Sequence, residues 1–154
     1  MEIFTNYHEL VAIVRKDYYP EIRGSVMPHI SVTEKPEECG FLTIMDVMAL
    51  DSNVFRIFGK LLPETMEEEN LETILKGAFG HELSHIAMGD FTFGNMLLTG
   101  FNRKIPVIGE RIERRRERKI DIDVIRRGLG NELHQAILYF EGLKNLCPKH
   151  LQHE

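Results

Sequence analysis

The sequence predicts an α+β fold, in which a small mixed β-sheet packs on one long helix and further helices follow. Short segments of strand-forming residues, separated by turns that contain Pro, Gly and Asn, occupy residues 26–62. Beyond residue 63 the apolar residues recur at helical spacing. Because 154 residues suffice for one domain, we assign residues 1–146 to a single domain and 147–154 to a flexible tail.

The elements follow from local patterns along the chain. Residues 6–17 form an amphipathic helix that Asn6 can cap. Strands are expected at 30–32, 41–45 and 54–58. Helices are expected at 64–88, where Gly89 ends the periodicity, at 110–127, where Gly128 and Gly130 follow, and at 131–146. The apolar positions of the last helix are Ala136, Leu138, Tyr139 and Leu143.

Composition and charge narrow the function classes. The net charge of −5 argues against a general nucleic-acid-binding protein, which needs a basic surplus. The two cysteines, Cys39 and Cys147, are too few for a disulfide framework and favour a reducing, cytoplasmic location. The longest apolar stretch, 91–108, is interrupted by polar residues and predicts no membrane span.

Residues 81–85 read His-Glu-Leu-Ser-His, an H-E-x-x-H pattern. On a helix, His81 and His85 lie one turn apart on one face, so both imidazoles can bind one zinc ion. Glu82 is then placed to take a proton from a metal-activated water. The predicted buried stripe of this helix contains Glu82 itself, together with Leu71, Leu75, Ala78, His85 and Ile86.

A carboxylate in such a stripe is costly unless a cation or hydrogen-bond donor meets it. Core histidines with an arginine paired to Glu82 would be the structural alternative to a metal site. A catalytic zinc needs a third protein ligand. The metzincin extension would place Gly at position 88 and His at position 91, where this chain has Met88 and Phe91. A later helix offers Glu113, Glu117 and Asp121 instead.

The two motifs together resemble a known signature. GHELSHIAMGD at 80–90, followed by RRRERKIDIDVIRRG at 114–128, is similar to the zinc site of gluzincin peptidases. The nearest resemblance is to the heat-shock membrane zinc metalloproteases and CAAX-processing proteases, and it covers residues 40–145. Only 26 residues, 91–116, separate the motifs, too few for the transmembrane hairpin of those enzymes. The chain therefore looks like the soluble minigluzincins, small cores that their own terminal segments can keep latent.

This resemblance implies a zinc metallopeptidase that hydrolyses peptide bonds in a peptide or protein substrate. His81, His85 and Glu117 would be zinc ligands, Glu82 the general base and acid, and Asp121 the partner of a ligating histidine. Ile120 stands where the family has a small residue, so helix packing near the site differs. We expect strand 54–58 to form the upper rim and to hold an extended peptide by backbone hydrogen bonds.

Two residues of the last helix and three of the tail can each be interpreted in two ways. His134 and Tyr139 are candidates for stabilising an oxyanion, or are a surface and a core residue. Cys147, His150 and His153 offer tail ligands that could reach the metal, or belong to a plain disordered tail.

Two segments and the function itself also leave alternatives. Segment 91–108 is core or a homodimer surface, and the arginine run 114–116 is a solvated helix face or a nucleic-acid patch. The alternative function is a non-catalytic zinc-binding protein that acts through a partner. Glu82 would have no function in such a non-catalytic site, so the sequence favours the enzyme.

Overall fold

The computed structural model describes residues 6–45, 54–62, 68–90 and 106–146. The described helices are α1 (Tyr7–Tyr18), α2 (Glu68–Ala87), α3 (Pro106–Arg126) and α4 (Gly130–Leu146). The strands are β1 (Ser25–Val32), β2 (Gly40–Met45) and β3 (Val54–Leu61), with a short 3₁₀ turn at Pro36–Glu38. The α+β class with a small sheet is confirmed.

The sheet is mixed, and its spatial order is β1-β3-β2. Strand β3 runs parallel to β1, with Ser25 opposite Val54, and antiparallel to β2, with Gly40 opposite Lys60. The expectation that residues 54–58 form the rim of the sheet is therefore wrong. This strand is hydrogen-bonded on both sides, so its backbone has no edge for a peptide, and the edge strands of the described sheet are β1 and β2.

Local chemistry explains where the helices begin and end. The Asn6 side chain accepts a hydrogen bond from the Glu9 amide at 3.2 Å and caps α1, as expected. Gly89 and Gly128 follow α2 and α3 with φ values of 72° and 95°. That left-handed conformation suits glycine and closes a helix, so both predicted helix ends are confirmed.

One core joins the inner face of the sheet to the helices. It contains Ile57 and Leu61 of β3, the apolar face of α1, and residues of α2, α3, α4 and the turn between α3 and α4. Among these are Leu71, Leu75, Phe79, Leu83, Val124, Leu129 and Leu133. The predicted apolar position Leu138 is instead 51% exposed, whereas Ala136 and Leu143 are buried. The buried face of helix α4 is therefore narrower than the predicted apolar positions indicate.

Several sequence predictions lie outside the described residues. They are the tail with Cys147, His150 and His153, and residues 91–105 of the apolar segment 91–108. The first residues of the predicted helix at 64–88 are also outside. Among the described helices, none is long and apolar enough to cross a membrane.

Candidate metal centre

The two motif histidines lie one turn apart near the end of α2. Their Nε2 atoms are 3.2 Å apart, and the rings meet edge to face with centroids 4.9 Å apart. Gly89 stops the helix four residues after His85. The i, i+4 spacing thus brings both imidazoles to one point, as the sequence predicts.

Helix α3 brings Glu117 to the same point. Its Oε2 lies 3.2 Å from His81 Nε2 and 3.7 Å from His85 Nε2. One ligand atom from each of His81, His85 and Glu117 falls within 4.8 Å of the others, so the group could hold a metal ion. The Glu117 side chain is 51% exposed, which leaves the group open on one side. The competing candidate Glu113 is exposed and does not belong to this group.

The outer nitrogens of both rings contact carboxylates. His81 Nδ1 lies 3.2 Å from Asp121 Oδ1, and His85 Nδ1 lies 2.6 Å from Asp90 Oδ2. Arg116 Nε approaches the same Asp90 oxygen at 2.8 Å. A carboxylate on the outer nitrogen holds an imidazole with its other nitrogen toward a metal. The contact of Asp121 with His81 is the one that the family resemblance implies, whereas no role for Asp90 is predicted from the sequence.

These contacts change two protonation equilibria of the metal-free protein. Burial lowers the pKa of His81, but hydrogen bonds to Asp121 and Glu117 and the charge of Glu82 outweigh burial and raise this pKa to about 10. The hydrogen bond from His81 holds the pKa of Glu117 below its usual range. The cluster is therefore a tight assembly of charges that a divalent cation can enter by displacing a proton.

Glu82 is buried, only 8% exposed, on the inner face of α2. Its partner is the Thr43 hydroxyl of β2, which donates to Glu82 Oε2. An arginine partner was the structural alternative, and the observed donor is neutral instead. Because Thr43 is itself 5% exposed, its hydroxyl holds the Glu82 carboxylate in one orientation.

A buried polar network crosses the back of α2. The Tyr19 hydroxyl lies 2.7 Å from the Gly80 carbonyl oxygen and 2.8 Å from Ser84 Oγ, and Ser84 donates to Asp123 Oδ2 at 2.9 Å. Arg127 donates from Nε to the same Asp123 oxygen at 2.7 Å and stacks over the Tyr19 ring. The network ties the end of α1 to α2 and α3. No sequence pattern marks it, because its members are up to 108 positions apart.

The two candidates for stabilising an oxyanion, His134 and Tyr139, lie on α4. His134 is exposed. The Tyr139 hydroxyl accepts a hydrogen bond from the Leu62 amide at 3.4 Å, beside the end of β3, and its ring contacts Phe140. These two contacts of Tyr139 do not involve His81, His85 or Glu117. A catalytic role for His134 or Tyr139 stays a prediction.

Comparison with known proteins gives no match for this chain among family models, curated proteins or solved structures.

Proposed function

We propose that the protein is a zinc-dependent metallopeptidase in which His81, His85 and Glu117 bind the metal. The observation that carries the proposal is the convergence of two Nε2 atoms and one carboxylate oxygen beside a buried Glu82. Two imidazoles and one carboxylate form a ligand set typical of catalytic zinc, which keeps a position open for water.

The separations of the ligand atoms suit zinc. Zinc–nitrogen and zinc–oxygen bonds of about 2.0–2.2 Å in a tetrahedron require ligand atoms about 3.3–3.6 Å apart. The observed distances are 3.2, 3.2 and 3.7 Å, so little rearrangement is needed. Calcium, with longer bonds and a preference for oxygen, fits this group less well.

When bound, zinc supplies a Lewis acid that polarises a carbonyl and lowers the pKa of a coordinated water. Glu82 adjoins the first histidine and accepts the proton of the attacking water, then passes it to the leaving amine. Thr43 keeps the carboxylate oriented for both transfers. Asp121 and Asp90 keep the two rings in place.

An extended substrate can bind along β2 rather than β3. Strand β2 is an edge of the described sheet and carries Thr43, the contact of Glu82. A peptide paired with the outer edge of β2 would therefore run past the metal site.

Metal content and hydrolysis test the proposal in turn. We expect one zinc per chain in the wild type, measured by mass spectrometry on protein without a histidine tag, and its loss in Glu117→Gln. Glu113→Gln is the matched control, because Glu113 lies four positions earlier on α3 and outside the group. Zinc retained by Glu117→Gln would exclude this ligand set.

A peptide-library digest then separates the peptidase from a non-catalytic zinc protein. Zinc-loaded wild type should cleave, and Glu82→Gln should keep its zinc while the rate falls by about 10²–10⁴-fold. Equal rates in the two proteins would remove Glu82 from the mechanism. Zinc binding without any cleavage would favour the non-catalytic alternative.

A further inference from the structure

Helix α3 separates its charges into two sides. With an advance of about 100° per residue, the exposed cations and three isoleucines fall in one arc of about 160° that contains no acidic residue. We call this arc the basic face; its members are Arg111, Ile112, Arg114, Arg115, Arg118, Lys119, Ile122, Ile125 and Arg126. The five acids of this part of α3 lie outside the arc; they are Glu110, Glu113, Glu117, Asp121 and Asp123, and Glu117 belongs to the metal-binding group.

The cations of the basic face have little internal compensation. Arg114 pairs with Glu110 at the boundary of the face. Among the described residues, no ion pair involves any of the other five cations of the face. The chain as a whole carries a net charge of −5, so this concentration of positive charge is not a reflection of composition. A solvated helix more often alternates the signs of its charges.

Apolar side chains are interspersed with these cations. Ile112, Ile122 and Ile125 are 40%, 41% and 55% exposed, although β-branched apolar residues on a helix usually mark its buried side. The face therefore offers guanidinium groups for carboxylates and isoleucines for apolar contact.

The composition of the basic face selects among anionic partners. It has no aromatic residue on which a nucleic-acid base could stack. Helices that lie in a membrane surface place their apolar and basic residues on opposite sides, whereas here they share one side. An acidic polypeptide segment with a few apolar residues satisfies both halves of the face.

We infer that the basic face is a docking surface for an acidic segment of the polypeptide substrate. This inference rests on the proposed peptidase function, because the face lies on the helix that carries Glu117. The face begins at Arg114, about 60° around α3 from Glu117, and Glu117 is exposed on the open side of the group. A substrate whose acidic segment binds along this face would thus place a more distant part of its chain at the metal centre.

Binding of a defined peptide tests the inference without requiring hydrolysis. The probe is a fluorescein-labelled peptide of glutamate pairs separated by single leucines, and its control has glutamine for glutamate. The protein is the full chain with Glu82→Gln, in which the proposed mechanism makes hydrolysis of the probe about 10²–10⁴-fold slower. We expect the acidic peptide alone to bind, more weakly as salt rises.

Charge reversal locates the binding. Arg111→Glu with Arg115→Glu should weaken binding by about tenfold or more, since two attractive contacts become repulsive. The matched control, Lys16→Glu with Arg23→Glu, changes two exposed cations outside α3 by the same amount and should leave binding unchanged. Equal affinity of both double variants, or no binding by the parent chain, would overturn the inference.

Two further probes complete the test. Tighter binding of a single-stranded RNA, or of vesicles that contain phosphatidylserine, lost in the same Arg111/Arg115 variant, would overturn the assignment to a polypeptide. If the Glu82→Gln chain binds the acidic peptide specifically but the zinc-loaded wild type cleaves no peptide, the docking surface stands and the peptidase is rejected. If the wild type cleaves neutral peptides but the acidic peptide does not bind, the peptidase stands and the docking surface is rejected.

Discussion

Ser84 Oγ donates a hydrogen bond to Asp123 Oδ2 at 2.9 Å, from a position between the two histidines of α2. Asp123 lies on α3, six positions after Glu117, so this bond joins the helix of the histidines to the helix of the third ligand. Ser84 is fully buried, and its hydroxyl also meets that of Tyr19. The bond therefore sets how α3 lies against the His81–His85 pair.

Ser84→Ala should weaken both folding and zinc binding. Removing this hydroxyl breaks a hydrogen bond to a charged carboxylate, although Asp123 keeps Arg127 and Tyr19 keeps the Gly80 carbonyl oxygen. We expect a cost of about 1.5–3 kcal/mol in the free energy of unfolding. We also expect a loss of zinc affinity beyond that of a remote variant, because the distance from Glu117 to the histidines is no longer held. Urea unfolding and competition with a zinc chelator measure the two quantities.

The control for Ser84→Ala separates general destabilisation from positioning. Val14→Ala removes apolar atoms from a fully buried site on α1 and should cost a similar free energy without changing the α2–α3 contact. If both variants lose zinc affinity equally, the Ser84–Asp123 bond has no special part in the metal centre.

Thr43→Val should lower the rate of hydrolysis while zinc content stays unchanged. Valine has nearly the same shape as threonine but cannot donate to Glu82, so the buried carboxylate loses its orienting partner. We expect kcat to fall by roughly tenfold with little change in KM, which matches the loss of one buried hydrogen bond. Thr43→Ser keeps the hydroxyl and should recover most of the rate; failure to do so would indicate packing rather than orientation.

Zinc binding should release protons at neutral pH. The pKa of His81 is raised to about 10 in the metal-free protein, so its imidazole is charged at pH 7, and a zinc ligand must be neutral. Apparent zinc affinity should therefore increase from pH 6 toward pH 9. Calorimetry in two buffers with different ionisation enthalpies measures the protons released, and identical heats in both buffers would contradict the prediction.

The same shift has a defined sign for the stability of the metal-free protein. A folded-state pKa above the unfolded value of about 6.5 adds stability that is fully present below pH 6.5. This stability is lost as the pH rises through about 10. The difference in unfolding free energy between wild type and His81→Gln, both without zinc, should shrink over that range.

The parts of the site that sequence could predict are those set by local geometry. The pair His81 and His85 follows from helical spacing alone, and the buried position of Glu82 follows from the apolar stripe of α2. Glu117 and Asp121 share one helix face by the same rule. Which of these acids meets the histidines depends on how α3 packs against α2, and the residues alone left this open.

The remainder depends on contacts between distant segments. Strands were expected close to their observed positions, but β3 is last in sequence and central in space, because pairing order is decided by tertiary packing. The contacts of Thr43 with Glu82 and of Tyr19 with Ser84 join residues 39 and 65 positions apart. Neither pair has a periodicity that could indicate it.

Gly77→Ala should destabilise the protein, because α2 and α4 approach closely there. A Cβ atom at Gly77 would overlap the backbone carbonyl of Glu132, which cannot move aside as a side chain can. We expect a loss of about 3 kcal/mol or more in the free energy of unfolding, measured in urea. Gly142→Ala is the matched control: it lies in helix α4, and its added Cβ would meet open space. That change should instead stabilise the protein by about 0.5–1 kcal/mol, since alanine is the better helix former. A Gly77→Ala protein as stable as wild type would show that the two helices can separate at little cost.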